Sequence, residues 1–299
     1  MKLLEGLFLK NLDIILKGIE KKNLSSNLRS MDSFRVMSYQ LDFIPFATPS
    51  EAIYFINARI KEISRYSPKL VVFPRYTANL FLGLLPFSKK KLQTEKGLEL
   101  SAKFYKMLRG FYIELIEVIG KMTGITLIAG SVFSPSEEIV VLFSEGKVNC
   151  FTKKDNIRVV QDGYNSIAFL FPNETQDYKK ARSLQESGVN IFITSENWKE
   201  KNEWLMKTGI WARSQTLGIF GINSAMVGNI FGEEFYGASF VSAPAILTKN
   251  YSGFVVKLND YAEKGVAIAD IKMNVIEEYL SSLPKTYKKY WSFTWGGNS

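Results

Sequence analysis

The sequence contains no histidine and a single cysteine, Cys150. Without histidine there is no Ser-His-Asp or Cys-His catalysis, and the commonest metal ligand is missing. One cysteine allows neither an intrachain disulfide framework nor a multi-cysteine metal site, so no metal and no cofactor are expected. Long uncharged apolar runs are also lacking: none reaches the roughly 18 residues that a membrane-spanning helix needs. The start, MKLLEGLFLKNLDIILKGIEKK, carries acids inside its apolar part and no small-residue cleavage site, which points to a cytoplasmic protein. There is no Pro/Gly/Ser-rich linker and no internal repeat, so one domain is the better reading.

What is present is a chain of 299 residues, 46% of them hydrophobic, enough to bury a large core. The formal charge of +9 would suit an acidic partner, but the lysines are spread along the whole chain. That distribution describes a lysine-rich surface, and nucleic acid is the least expected partner.

Strand and helix patterns alternate. FRVMSYQLDF (Phe34 to Phe43) is strand-like, and SEAIYFINARIKEISRY (Ser50 to Tyr66) opens with serine as N-cap and sets Ile53, Ile56, Ile60 and Ile63 on one face. KLVVFP (Lys69 to Pro74) is a second strand, followed by a long helix from about Glu95 to Lys121. GITLIAGSVF, a hairpin turning at Glu145-Gly146, and SIAFLF follow as strands. DYKKARSLQESGVNIFITSENW and WLMKTGIWARSQTLGIFGINSAM each read as helix, then glycine, then strand, and GASFVSAPAILTK, GFVVKLND and KGVAIADIKM supply late strands.

The order of these segments resembles the nitrilase superfamily, the carbon-nitrogen hydrolases. The pieces are QLD, LVVFP, LIAGSVF, a hairpin with EGKV before a lysine, ARSLQESGVNIFITSENW, ARSQTLGIFGINSAMVG, FYGASFVSAPAIL and EKGVAIADI, covering about Phe34 to Tyr279. The resemblance implies an α/β protein with an α-β-β-α sandwich, and dimers or larger homo-oligomers. It divides the chain into an N-terminal helical extension at 1–33, a nitrilase-like domain at 34–280 and an aromatic, basic tail at 281–299.

In that family a glutamate moves protons, a lysine stabilises developing negative charge and a cysteine attacks the carbon of a nitrile or amide. The glutamate follows the proline of an FPE motif; here Arg75 stands in that place. Arginine stays protonated and cannot serve as a base. The lysine corresponds to Lys153, with Lys154 as the alternative register. The cysteine position falls on Pro172 or Leu170, depending on whether the count runs from Gly188 and Trp198 or from Gly163, and no residue from Leu170 to Pro172 is a nucleophile. Ser166 would need an added loop to be considered, and Cys150, three residues before Lys153, points to the other side of its strand.

The expectation is therefore a pseudoenzyme, a binding or interaction module on a hydrolase fold. The alternative is an active amide or nitrile hydrolase, or acyl transferase, with a nucleophile foreign to the family. Arg75, Lys153, Glu196, Asn197 and Trp198 form the expected binding site, and Arg213 is expected to be structural. Two cations about 5 Å apart repel by roughly 3 kcal/mol at an effective dielectric near 20. Arg75 and Lys153 thus need a counter-charge, with Glu196, Glu174 and Asp162 as the internal candidates and a bound carboxylate or phosphate group as the alternative, unless Arg75 turns out to solvent and the cleft is simply filled. The three lysines of FSKKKLQTEK read as a solvated loop that could add to a cationic entrance. Leu4, Phe8, Leu12, Ile15 and Ile19 form a helical stripe that needs a cover, and the tail LPKTYKKYWSFTW (Leu283 to Trp295) mixes aromatics with lysines. A second protomer or another protein docking on residues 1–23 or 283–295 is the first expectation, an anionic membrane surface the second.

Overall fold

The computed structural model describes residues 2–19, 34–86, 89–155, 158–162, 165–259 and 261–283. The rest of the extension (20–33), Phe87, Ser88, Gly163, the side chain of Asp162 and the tail from 284 on lie outside the described residues.

The chain opens with α1 (Lys2–Ile19) and β1 (Phe34–Asp42), then α2 (Pro49–Tyr66). The α2 cap is Thr48 rather than Ser50. Its hydroxyl accepts the Glu51 amide at 3.2 Å, and Pro49 takes the first helical position, where its missing N–H costs nothing. Next come β2 (Leu70–Val72), a 3-10 turn (Thr77–Leu84), the short α3 (Lys89–Leu92) and the long α4 (Lys96–Thr123), which stops at Gly124 in the left-handed conformation. β3 (Thr126–Phe133), β4 (Glu138–Ser144) and β5 (Lys147–Thr152) follow, the last two joined by Glu145-Gly146, both at positive φ. The second half runs β6 (Val159–Asp162), β7 (Asn165–Phe169), α5 (Tyr178–Glu186), β8 (Ile191–Thr194), α6 (Glu203–Thr208), α7 (Ile210–Leu217), β9 (Phe220–Asn223), β10 (Met226–Ile230), β11 (Glu233–Phe235), β12 (Phe240–Ser242), β13 (Phe254–Lys257), β14 (Gly265–Ile271) and α8 (Met273–Ser282).

Among the described residues the strands form two sheets. One has the order β11-β10-β1-β2-β3-β4-β5 with β14 antiparallel to β1; the other has the order β13-β12-β9-β8-β7-β6. Strand alternation divides the apolar residues between three layers. In β2, Leu70 and Val72 face the second sheet, meeting Ile167, Ile191 and Ile222, while Val71 faces out under α2 and α4. Ala168, Phe192 and Phe240 face out on the other side, under α5, α6 and α7. The fold is an α-β-β-α sandwich, and both faces of each central strand are apolar because both are covered.

The stripe on α1 is covered within the chain. Phe8, Leu12, Ile15 and Ile19 are buried, Phe8 packs edge-on to Phe104 of α4, and Asn11 donates to the Leu84 carbonyl at 3.2 Å. The stripe therefore gives no reason to expect a partner; α1 exposes instead Leu3, Leu7, Leu9 and Ile14. Among the described residues no helix is long and apolar enough to cross a membrane. If α1 is an integral layer, Phe8→Ala costs about 3–5 kcal/mol of unfolding free energy in a denaturant titration, whereas Leu7→Ala, on the exposed face, stays within about 0.5 kcal/mol. Equal effects of the two substitutions would contradict this packing.

Candidate functional site

The parallel strands β1, β2 and β3 in one sheet and β7, β8 and β9 in the other carry their C-terminal ends to loops that hold the site. Beyond β2, the chain passes Phe73 and Pro74 to Arg75. Gly130, at φ 77°, lets the bulged β3 pass Pro74 closely; a Cβ there would lie 2.0 Å from the Pro74 carbonyl oxygen. The bulge sets Ser131 against the loop after β2, where its hydroxyl accepts the Tyr76 amide at 3.3 Å.

Arg75 is paired with Glu138, the first residue of β4. Its Nε and Nη2 donate to the two carboxylate oxygens at 2.6 and 2.8 Å, a bidentate fork, and the Ser131 hydroxyl adds a bond to Oε1 at 2.8 Å. The guanidinium lies over the Tyr76 and Phe133 rings, 4.6 and 5.1 Å from their centroids. Burial alone would lower the Arg75 pKa, but the charge of Glu138, with Tyr76 and the hydrogen bonds, raises it above its ordinary value. Lys153 reaches the same carboxylate, with Nζ 3.9 Å from Oε2, and remains half exposed. Lys154 is exposed, and its backbone amide donates to the Thr152 hydroxyl at 3.2 Å.

The counter-charge is thus Glu138, and neither Glu174 nor Glu196 plays that part. Glu174 belongs to a neighbouring cluster: it accepts from Arg158, from Lys180 at 2.6 Å and from the Phe171 amide at 2.9 Å. Burial alone would raise the Glu174 pKa, yet these bonds hold it below the usual carboxylate range. Arg158, buried, also donates to the Thr152 and Lys153 carbonyls at 2.8 and 2.7 Å and so fixes the strand end that carries Lys153.

Glu196 sits in a separate buried pocket beyond β8. It accepts the Thr175 hydroxyl, its amide donates to Asn223 Oδ1 at 2.8 Å, and Gly209 lies against its carboxylate so closely that a Cβ there would be 2.1 Å from an oxygen. Gly209, at φ −90° and ψ −126°, also divides the expected single helix into α6 and α7. Burial pushes the Glu196 pKa up to about 7, against the opposing Thr175 bond and the charge of Arg213. Arg213 donates to the Thr175 carbonyl at 2.7 Å, in keeping with a structural part. Asn197 and Trp198 also hold the fold together: Asn197 accepts the Met226 amide at 3.0 Å, and Trp198 exchanges backbone bonds with Tyr236 at 2.8 and 2.7 Å.

At the two positions that the resemblance gives to the cysteine, Leu170 turns outward into the layer under α5 to α7, and Pro172 opens a 3-10 turn. Phe171, between them, faces the other sheet and places its ring 5.6 Å from Lys153 Nζ and 4.7 Å from the Arg158 guanidinium. The hydroxyls beside the fork, Ser131 and Ser195, are both engaged: Ser131 donates to Glu138 Oε1 at 2.8 Å. Ser195 accepts the Arg75 amide at 2.5 Å and donates to the Ser224 carbonyl at 2.7 Å. Ser166 lies at the far end of β7, and Cys150 packs toward the α4 side, where burial pushes its thiol up. Among the described residues no group of three or more Cys, Asp or Glu side chains could hold a metal ion.

Glu138 and Arg158 are the residues that sequence reading missed. Glu138 had a signal, a carboxylate opening an otherwise apolar strand of a buried sheet. Arg158 had none beyond its charge.

No protein-family model matches this sequence, and no curated protein matches it. Solved structures do. A cysteine-to-alanine mutant of the amidase from Nesterenkonia sp. AN1, in complex with butyramide, is similar with a TM-score of 0.60 and 16% identity, covering 89% of this chain and 100% of that one. A cysteine-to-serine mutant of the same amidase, described as from the nitrilase superfamily, is similar with a TM-score of 0.59 and 16% identity over 86% of this chain and 97% of that one. The fold of this chain is that of the nitrilase superfamily.

The Glu196 pocket makes stability depend on pH. The unfolded chain releases this proton near pH 4.5 and the folded protein near 7, so the group's stabilising contribution is fully present below 4.5 and is lost as pH rises to about 7. Relative to Glu196→Gln, the unfolding free energy of the wild type falls by on the order of 3 kcal/mol across that window. Parallel pH profiles of the two proteins would refute the assignment.

Proposed function

We propose that this protein is a pseudoenzyme: a binding or interaction module on a nitrilase fold that does not hydrolyse carbon-nitrogen bonds. The observation that carries the reading is the saturated ion pair of Arg75 and Glu138. At the place that the family resemblance gives to the proton-moving glutamate there is a permanent cation, with both oxygens of the local carboxylate engaged. A substrate could reach the Glu138 carboxylate only by displacing an arm of the fork, since Oε1 holds Arg75 Nε and Ser131 and Oε2 holds Arg75 Nη2. Lys153 stands at the mouth with the Phe171 ring, and no thiol, beside it. Base and nucleophile act as a unit in such chemistry, so losing both leaves no partial mechanism.

Self-association as a dimer or larger is part of the proposal, supported by the exposed Leu3, Leu7 and Ile14 on α1 and by Trp204 and Tyr251, each 75% exposed, on the opposite helical layer and its flanking loop. A cytoplasmic location fits the same reading.

Ammonia release from a panel of amides and nitriles, including butyramide, tests the loss of activity. We expect no turnover above buffer, and Arg75→Glu alone restores none. Turnover that Lys153→Ala abolishes would overturn the reading in favour of a hydrolase with an unconventional nucleophile.

A further inference from the structure

The buried Glu196 carboxyl is wedged between pieces of chain that are far apart in sequence. Its own backbone is pinned to β9: the amide donates to Asn223 Oδ1 at 2.8 Å, and Asn223 Nδ2 donates to its carbonyl at 3.3 Å. One oxygen, Oε1, lies against the hydroxyl of the buried Thr175, in the turn between β7 and α5. The backbone of Gly209, at the junction of α6 and α7, closes the other side, where a Cβ would meet Oε2 at 2.1 Å and Oε1 at 2.7 Å. The same turn carries Glu174, which holds Arg158, and Arg158 holds the strand end at Lys153.

Counting protons shows how the wedge holds. The Thr175 hydroxyl has a single proton and two oxygen neighbours, Glu196 Oε1 and the Pro172 carbonyl, the latter 2.7 Å away. An ionised Glu196 can accept from Thr175 only at the expense of Pro172. A neutral Glu196 donates to Thr175 while Thr175 donates to Pro172, so acid, hydroxyl and turn form a closed chain in which every group is served. Among the described residues, Arg213 on α7 is the charge that opposes this, but its Nε is committed to the Thr175 carbonyl at 2.7 Å and its guanidinium lies 5.4 Å from the Tyr178 ring centroid. Asp177 and Tyr178, at the start of α5, act on Arg213; Glu174 turns to Arg158 and Lys180; Lys207 of α6 lies over the Trp204 and Trp211 rings; and β9 brings the neutral Asn223. Burial therefore prevails, and it carries the carboxyl's pKa up to about 7.

We propose that Glu196 is a proton-operated latch: neutral, it clips the α6–α7 junction to the 172–175 turn, and on losing its proton it lets both open locally while the two sheets stay folded. In the open form the carboxyl reaches water and regains its ordinary proton affinity, so the closed form is the one that holds the proton more tightly. The latch is thus fully closed below about pH 4.5, loosens as pH rises to about 7 and changes no further above that. It stands whether or not the protein hydrolyses anything.

Amide hydrogen exchange of the full-length chain at about pH 5 and about pH 8, corrected for the intrinsic pH dependence of exchange, tests it. In the wild type the amides of Glu174, Thr175, α6 and α7 lose protection by on the order of 100-fold between the two, while β2 and β8 stay better protected than the latch at both. Glu196→Gln, whose amide cannot ionise, keeps the latch closed at both. Should that variant fail to fold, Thr175→Val serves: without the hydroxyl the latch stands open at about pH 5 already, with β8 still protected. Unchanged protection of the wild-type latch overturns the proposal, as do an equal loss in Glu196→Gln, latch amides that open only together with β2 and β8, or wild-type protection of the latch in Thr175→Val.

Discussion

A guanidinium mostly buried in the loop after β2 must find a carboxylate, and in this protein the rest of the site is arranged around that need. Arg75 and Glu138 meet in a two-armed fork, with Ser131 closing the remaining direction on Oε1. Desolvating either charge without the other is strongly unfavourable, so the pair must form or break as one. Its consequences reach outward. The bulge at Gly130 brings Ser131 to the fork, and the Tyr76 and Phe133 rings lie against the cation. Lys153 is held at the edge of the same negative charge.

Much of the architecture was legible in the sequence because it rests on local rules. Near-continuous apolar runs such as LVVFP mark strands covered on both faces, and Leu70, Val71 and Val72 divide between two cores as alternation requires. The Glu145-Gly146 turn and the Gly124 helix stop are local chemistry as well. Arg75 was visible for a similar reason: a cation after FP at the end of a buried strand contradicts its surroundings, and such contradictions mark sites.

What could not be read was pairing across long sequence distance. Glu138 meets Arg75 only because β3 and β4 fold back over the loop after β2, and several acids near strand ends were equally plausible partners. Glu174 went to Arg158 and Lys180, and Glu196 went to Thr175 beneath Gly209. The α1 stripe posed the same difficulty. Its periodicity says that Phe8 and Ile15 are covered, but whether by α4 or by another molecule is a tertiary fact. Phe171 in place of Leu170 or Pro172 beside Lys153 is a matter of register at a strand end, where a one-residue slip changes the face.

The two charges that hold the walls of this site together are Arg75 and Glu138, and a double-mutant cycle measures their coupling directly. Unfolding free energies of the wild type, Arg75→Met, Glu138→Met and the double variant are predicted to give a coupling of about 2–5 kcal/mol, with the double variant less damaged than the sum of the singles. A coupling near zero would contradict the account, since Arg75 would then be free of Glu138 and the cleft open.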